Sequence, residues 1–191
     1  MLVEHNYPWR HYTVDNFLQE NVYKLLLKIR NNPKFSFVDS FGNGVNNPDL
    51  NSGFPTKKNL DIWNDGNLTN LIRQDVERHL SPLLPKNFFC IPDLVKCEPG
   101  YVYLPHVDHK AKHLSIVVYL HPLKSNGTIL IKDNIHHQVE WQPNRALIMT
   151  NEPHMTHYYH NNTIYPRLTL NIYITLDSTI SFRVAAPGNT I

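Results

Sequence analysis

The sequence predicts an α+β fold that is mainly β: two antiparallel sheets, with helices from the N-terminal part of the chain packed on one of them. Three observations carry this. Two segments with helical apolar spacing occupy residues 1–80. From residue 88 onward come eight short runs rich in Val, Ile, Tyr and Thr, punctuated by Pro, Gly, Asn or Asp. The length of 191 residues, with 41% hydrophobic and 18% charged side chains, fits one ordinary globular domain. We therefore read residues 1–191 as a single domain, in which 1–87 supply helical support and a loop and 88–184 form the β core.

Residues 13–30, "TVDNFLQENVYKLLLKIR", place Phe17, Leu18, Val22, Leu25, Leu26 and Ile29 at helical spacing, with Asp15 as the expected N-cap. Pro33 ends this helix, because it lacks a donor and disfavours helix in the residue before it. "FSFVDSF" is expected to be a strand. Residues 42–59, "GNGVNNPDLNSGFPTKKN", form the longest turn-rich stretch and are expected to be a surface loop, a candidate lid. Their Gly-Asn-Gly opening lacks the Lys-Ser/Thr of a phosphate loop. A second helix, 67–80, aligns Leu68, Leu71, Ile72, Val76 and Leu80 on one side, and "SPLLP" stops it. The eight strand-like runs are "FFCIPDLVKCEPG", "YVYLPHVD", "HLSIVVYL", "GTILIKD", "HHQVEW", "RALIMT", "MTHYY" and "RLTLNIYITL".

The net charge of +2 is mild and gives no strong nucleic-acid signal. Cys90 and Cys97 are expected to be reduced, since nothing suggests a secretory context. No basic segment followed by an apolar one opens the chain, and no apolar run approaches a bilayer's thickness. The expected location is the cytoplasm, with no membrane partner.

His106-Val107-Asp108 is the first chemical feature. Alternate residues of a strand share a face, so an imidazole and a carboxylate can project into one cavity. They are two ligands of a 2-His-1-carboxylate face, which with a third ligand suits non-haem Fe(II) and leaves positions open. Among 12 histidines, an accidental His-x-Asp is easily obtained. Downstream, "NEPHMTHYYHNN" holds His154, His157 and His160, and ten residues past His157 comes Arg167, opening "RLTLNIYI". On an apolar strand Arg167 and Thr169 would point a guanidinium and a hydroxyl into one pocket. A buried guanidinium needs an anion: either a ligand carboxylate or an acid from another strand.

The ordered set "HVD", "GTILIKD", "QPNRALIM", "PHMTHYY" and "RLTLNIYI" resembles the Fe(II)/2-oxoglutarate-dependent oxygenases, most of all their prolyl-4-hydroxylase-like branch. The resemblance spans about residues 88–176, and "PWRHYTVDNFL" is similar to the phrase that opens many such domains. It implies a double-stranded β-helix (jelly-roll, cupin-like) core of about eight strands with N-terminal helices packed on one sheet. His106 and Asp108 match the first two iron ligands. A histidine about ten positions before a basic residue matches the third, which selects His157 and leaves His154 as the alternative; strand parity turns His154 and His160 away when His157 faces the metal. Arg167 matches the residue holding the distal carboxylate of 2-oxoglutarate, with Thr169 as a second contact. Tyr119 resembles a tyrosine that helps bind the same group, a core aromatic being its other reading. Gly127-Thr128 matches a tight turn into a strand. Glu98 departs from the pattern, where relatives often carry a tyrosine.

The activity so implied is that of a dioxygenase using Fe(II), 2-oxoglutarate and O2 to hydroxylate a substrate C–H bond, releasing succinate and CO2. No catalytic side chain is needed beyond the metal ligands. A peptide or protein substrate, with a prolyl residue as the first guess, is the first expectation, with nucleobases and small molecules open. The alternative is a cupin-like metal-binding isomerase or binding protein without oxygenase activity.

Overall fold

Two antiparallel sheets face each other, and the period of their strands decides what lies between them. The computed structural model describes residues 1–29, 37–39, 52–55 and 67–177. In chain order the strands are β1 (Leu2–His5), β2 (His11–Val14), β3 (Phe37–Asp39), β4 (Ser52–Pro55), β5 (Phe89–Cys97) and β6 (Val102–His106), then β7 (Leu114–His121), β8 (Ile129–Lys132), β9 (Ile135–Gln138), β10 (Ala146–Thr150), β11 (His157–His160) and β12 (Arg167–Thr175). The helices are α1 (Glu20–Ile29) and α2 (Asn67–Leu80), the latter followed by a 3-10 turn at Ser81–Leu83. The larger sheet runs β1-β2-β10-β7-β12-β5-β4-β3 and the smaller β6-β11-β8-β9.

The central strands β7 and β12 pair in the register Leu170↔Val118 and Ile172↔Ile116. Both faces of this sheet are covered, so β7 reads as a near-continuous apolar run, whereas β12 alternates, with Arg167, Thr169 and Asn171 on the face opposite Leu168, Leu170 and Ile172. One face sends Ile116, Val118, Leu170 and Ile172 into a core with Val22 and Leu26 of α1 and Ile72 and Val76 of α2. Each such side chain contributes about 1.5–3 kcal/mol by leaving water. The other face looks toward the smaller sheet, where Tyr119, Leu147 and Met149 join Leu130, Trp141 and Met155. The expected fold class is the one observed: mainly β, two sheets, with the helices on the larger one.

Each of the eight strand-like runs holds one strand, β5 to β12, and the second helix falls on residues 67–80 as expected. The first helix is shorter than 13–30. His11–Val14 pair with β1 and β10 instead, which buries His11, Tyr12 and Val14. Asp15 turns to Arg145, with contacts of 2.6 and 3.2 Å, and caps no helix. The Leu18 backbone is satisfied at 2.9 Å in both directions by the Asn144 amide. Tertiary partners thus outbid the local helical pattern. The stretch 42–59 also holds more than a loop, because β4 lies inside it and bridges β3 and β5. The rest of that stretch, with its lid expectation, and Pro33 lie outside the described residues. Among the described residues no helix is long and apolar enough to cross a membrane.

Candidate active site

β6 ends at His106 and β11 begins at His157, and the two are partners across the β6–β11 ladder. Directly opposite residues of an antiparallel pair project to the same side, so both imidazoles enter the space between the sheets, with ring centroids 4.4 Å apart. Asp108 follows two residues beyond β6, and its Oδ2 lies 3.7 Å from His157 Nε2. One ligand atom from each of His106, Asp108 and His157 falls within 4.8 Å of the others.

The rings are aimed by their own strands. His106 Nδ1 donates to the Leu104 carbonyl at 2.8 Å, and His157 Nδ1 donates to the Met155 carbonyl at 3.1 Å. A carbonyl can only accept, so each Nδ1 carries a proton, and Nε2 is the atom of each ring left to act as a ligand. Burial, and then the neighbouring His157, push the His106 imidazolium pKa down to about 4, which keeps the ring neutral as a ligand must be. Burial alone would raise the Asp108 pKa, yet Lys112 and His157 outweigh it and hold the carboxyl far below its usual range. Two imidazoles and one carboxylate on one side of a point make a donor set that fits non-haem Fe(II).

Arg167 opens β12 and is buried. Its guanidinium carbon sits 3.7 Å from the Tyr159 ring centroid, 5.5 Å from Trp141 and 5.6 Å from Tyr119. Burial pushes the neighbouring Cys97 thiol up to about 11, so it stays a protonated neighbour and brings no countercharge. Among the described residues Arg167 Nε and Nη2 have no hydrogen-bond partner, and no acid forms an ion pair with the guanidinium. A charge held this way between aromatic faces, with donors unmet, can accept an anion. One cavity of about 120 Å³ is lined by Arg167 together with His106, Asp108 and His157, and Val95, Val117 and Met149 form part of its apolar wall.

The remaining expected residues are placed as follows. Tyr119 is fully buried behind Arg167, stacks on Trp141 at 4.6 Å and accepts the Thr128 N–H at 3.0 Å. Thr169 is fully buried and donates to Asn171 Oδ1 at 3.0 Å; neither it nor Tyr119 lines the cavity. His154 stands in the turn before β11, with a 60% exposed side chain 3.7 Å from Glu152, and His160 is exposed at the end of β11. Neither joins the His106, Asp108, His157 group. Glu98 pairs with Lys96. Tyrosines are supplied from other positions instead, since Tyr101, Tyr103 and Tyr159 all line the cavity. Gly127 is required by close approach: a Cβ there would meet the Val139 carbonyl oxygen at 1.8 Å. Sequence reasoning missed Lys112, which bonds Asp108, and Tyr159, which underlies Arg167. Tyr159 had a signal, being two residues beyond His157 on one strand and so on the same face.

No protein-family model and no curated protein matches the sequence. Solved structures do match the fold. A prolyl-4-hydroxylase from Pseudomonas putida superposes with a TM-score of 0.53 at 16% identity, covering 85% of this chain and 90% of its own. A prolyl hydroxylase from Trichoplax adhaerens, in complex with a hypoxia inducible factor oxygen degradation domain peptide fragment, gives 0.56 at 13% identity, with 85% and 82% covered. The non-heme alpha-ketoglutarate-dependent epimerase SnoN from nogalamycin biosynthesis gives 0.59 at 13% identity, with 95% and 86% covered. The chain has the double-stranded β-helix fold of 2-oxoglutarate oxygenases.

Proposed function

We propose that this chain is an Fe(II)- and 2-oxoglutarate-dependent oxygenase in which His106, Asp108 and His157 hold the metal and Arg167 anchors the cosubstrate. The observation that carries the reading is the pairing, in one cavity, of a His-Asp-His cluster with a buried guanidinium that has no acid of its own among the described residues. Either feature alone occurs in many proteins; a metal face and an unmet anion clamp together suit a chelating dicarboxylate.

The chain's share of the work is placement. His106 and His157 offer Nε2 atoms whose direction is fixed through Nδ1. Arg167 would meet the distal carboxylate with forked donors, with Tyr159 stacked beneath it and the Tyr119 ring 5.6 Å behind. Val95, Val117 and Met149 keep part of that space apolar, which strengthens the charged contacts within it. When bound, iron and 2-oxoglutarate supply the oxidising chemistry, in which O2 and 2-oxoglutarate become succinate and CO2 while one oxygen atom enters a substrate C–H bond. A peptidyl substrate, with proline as the first residue to test, is favoured because two neighbours in fold are prolyl hydroxylases, one holding a peptide.

The test is aerobic incubation with Fe(II) and 2-oxoglutarate over panels of proline-containing peptides, nucleosides and amino acids, following succinate and a mass gain of one oxygen. The expected result is Fe(II)-dependent succinate that Asp108→Ala abolishes. A metal-loaded protein that leaves 2-oxoglutarate intact throughout would overturn the reading in favour of a cupin-like isomerase or binding protein.

A further inference from the structure

Lys112 lies four residues beyond Asp108, and its ammonium is hydrogen-bonded to Asp108 Oδ1. The two oxygens of that carboxylate are therefore not equivalent. Oδ1 is taken by Lys112, while Oδ2 is the one that lies 3.7 Å from His157 Nε2. The pair is largely dry, with side chains 12% and 11% exposed, so it is screened far less than an ion pair on the surface. Lys112 is also held from outside the pair. Its Nζ rests 4.0 Å from the Tyr173 ring centroid, the Lys112 N–H donates to the His109 carbonyl at 2.9 Å, and the next N–H, of His113, donates to Ile174 at 2.7 Å. A side chain restrained by an aromatic face and a hydrogen-bonded turn is a fixed strut, which a surface lysine on its flexible stem is not.

We infer that Lys112 is a positioning residue that occupies one oxygen of Asp108, so that this carboxylate offers the metal a single atom. The inference rests on the metal reading above. Its consequence is a count of coordination positions. Two imidazoles and one carboxylate oxygen leave three of six positions open, enough for a two-point chelate and one further molecule. A carboxylate free to turn and grip through both oxygens would close one of the three. Nothing in the His-x-Asp motif prevents that grip; the lysine does.

The opposite role is also physically clear and gives the test its second arm. An ammonium beside a metal site repels the cation, and if Lys112 merely fills the cation's place, removing it should tighten metal binding. Co(II) is the probe, because it resists oxidation and its visible absorption reports coordination number. Lys112→Met keeps the length of the side chain without the charge, Lys112→Gln keeps a neutral donor, and Lys112→Arg keeps the charged donor. The inference expects Lys112→Met to bind Co(II) roughly 10–100-fold more weakly, the range for losing an outer partner of a ligand. It also expects a changed Co(II) spectrum, with both properties restored toward wild type by Lys112→Arg. Equal or tighter binding by Lys112→Met with an unaltered spectrum overturns it. If Lys112→Met does not fold, a Lys112→Leu protein, which also lacks a donor, overturns it equally well by showing wild-type affinity and spectrum. Failure of the wild type itself to bind Co(II) would sink the metal reading, and this inference with it.

Discussion

His106 and His157 face each other across the β6–β11 ladder with ring centroids 4.4 Å apart, although 50 residues of chain separate them. The register of one strand pair thus creates half of the site, and it distinguishes His157 from His154 without reference to any other protein. His157→Ala should abolish Co(II) binding measured by calorimetry, whereas His154→Ala should leave it within about threefold, a margin worth less than 1 kcal/mol. Loss of binding in His154→Ala alone would transfer the ligand role to the turn.

Arg167→Met separates function from stability. Two charge-assisted hydrogen bonds to a carboxylate are lost, so 2-oxoglutarate binding to the metal-loaded protein should weaken by about a hundredfold or more while Co(II) affinity is unchanged. The ligand-free variant should melt at or above the wild-type temperature, because a buried charge with unmet donors has been replaced by an apolar chain of similar length. Unchanged 2-oxoglutarate affinity would show that the cosubstrate is held elsewhere.

Gly127→Ala drives a methyl into backbone. The obstacle is the Val139 carbonyl at 1.8 Å, with the Tyr119 hydroxyl next at 3.3 Å, and a carbonyl cannot swing aside as a side chain can. Urea unfolding should report a loss of about 3 kcal/mol, the upper end for overpacking. A loss below 1 kcal/mol would mean that this approach relaxes easily.

His11 predicts a pH effect remote from the proposed metal site. It is 2% exposed, and burial lowers its pKa below 6.5; the Trp9 carbonyl, which accepts from Nδ1 at 2.9 Å, opposes the shift, and the nearby His5 and His137 add to it. Between the folded pKa and 6.5 the unfolded chain binds the extra proton, so stability rises with pH across that window. The contribution is complete above about 6.5 and is lost as pH falls toward the folded value. His11→Asn, which retains a donor for the Trp9 carbonyl, should flatten the slope of melting temperature between pH 5 and 7 relative to wild type. Parallel slopes for the two proteins would remove His11 as the cause.

Most of the β core was legible because burial on two faces leaves a plain mark. β7 is apolar nearly throughout, and β12 carries an unbroken alternation of Leu168, Leu170, Ile172 and Ile174. His106, Asp108, His157 and Arg167 were legible as an ordered pattern, since strand parity carries direction as well as position. What escaped the sequence was decided by distant partners. Asp15 pairs with Arg145, 130 residues away, so the helical pattern around it misled. β4, "SGFP", holds two residue types that break strands, and it becomes one only by lying between β3 and β5. Lys112 reaches Asp108 through the fold of a turn, and spacing alone does not give the direction of a side chain in a turn.

His106, His157 and His11 share one local device: each Nδ1 donates to the carbonyl two residues earlier in its own chain. At the proposed metal site this makes the aim of both imidazoles a property of the main chain. The walls around them can then be exchanged residue by residue without re-aiming the nitrogens. A scaffold of this kind is suited to retailoring for new reactants, because what grips the ion and what greets the guest are separately editable.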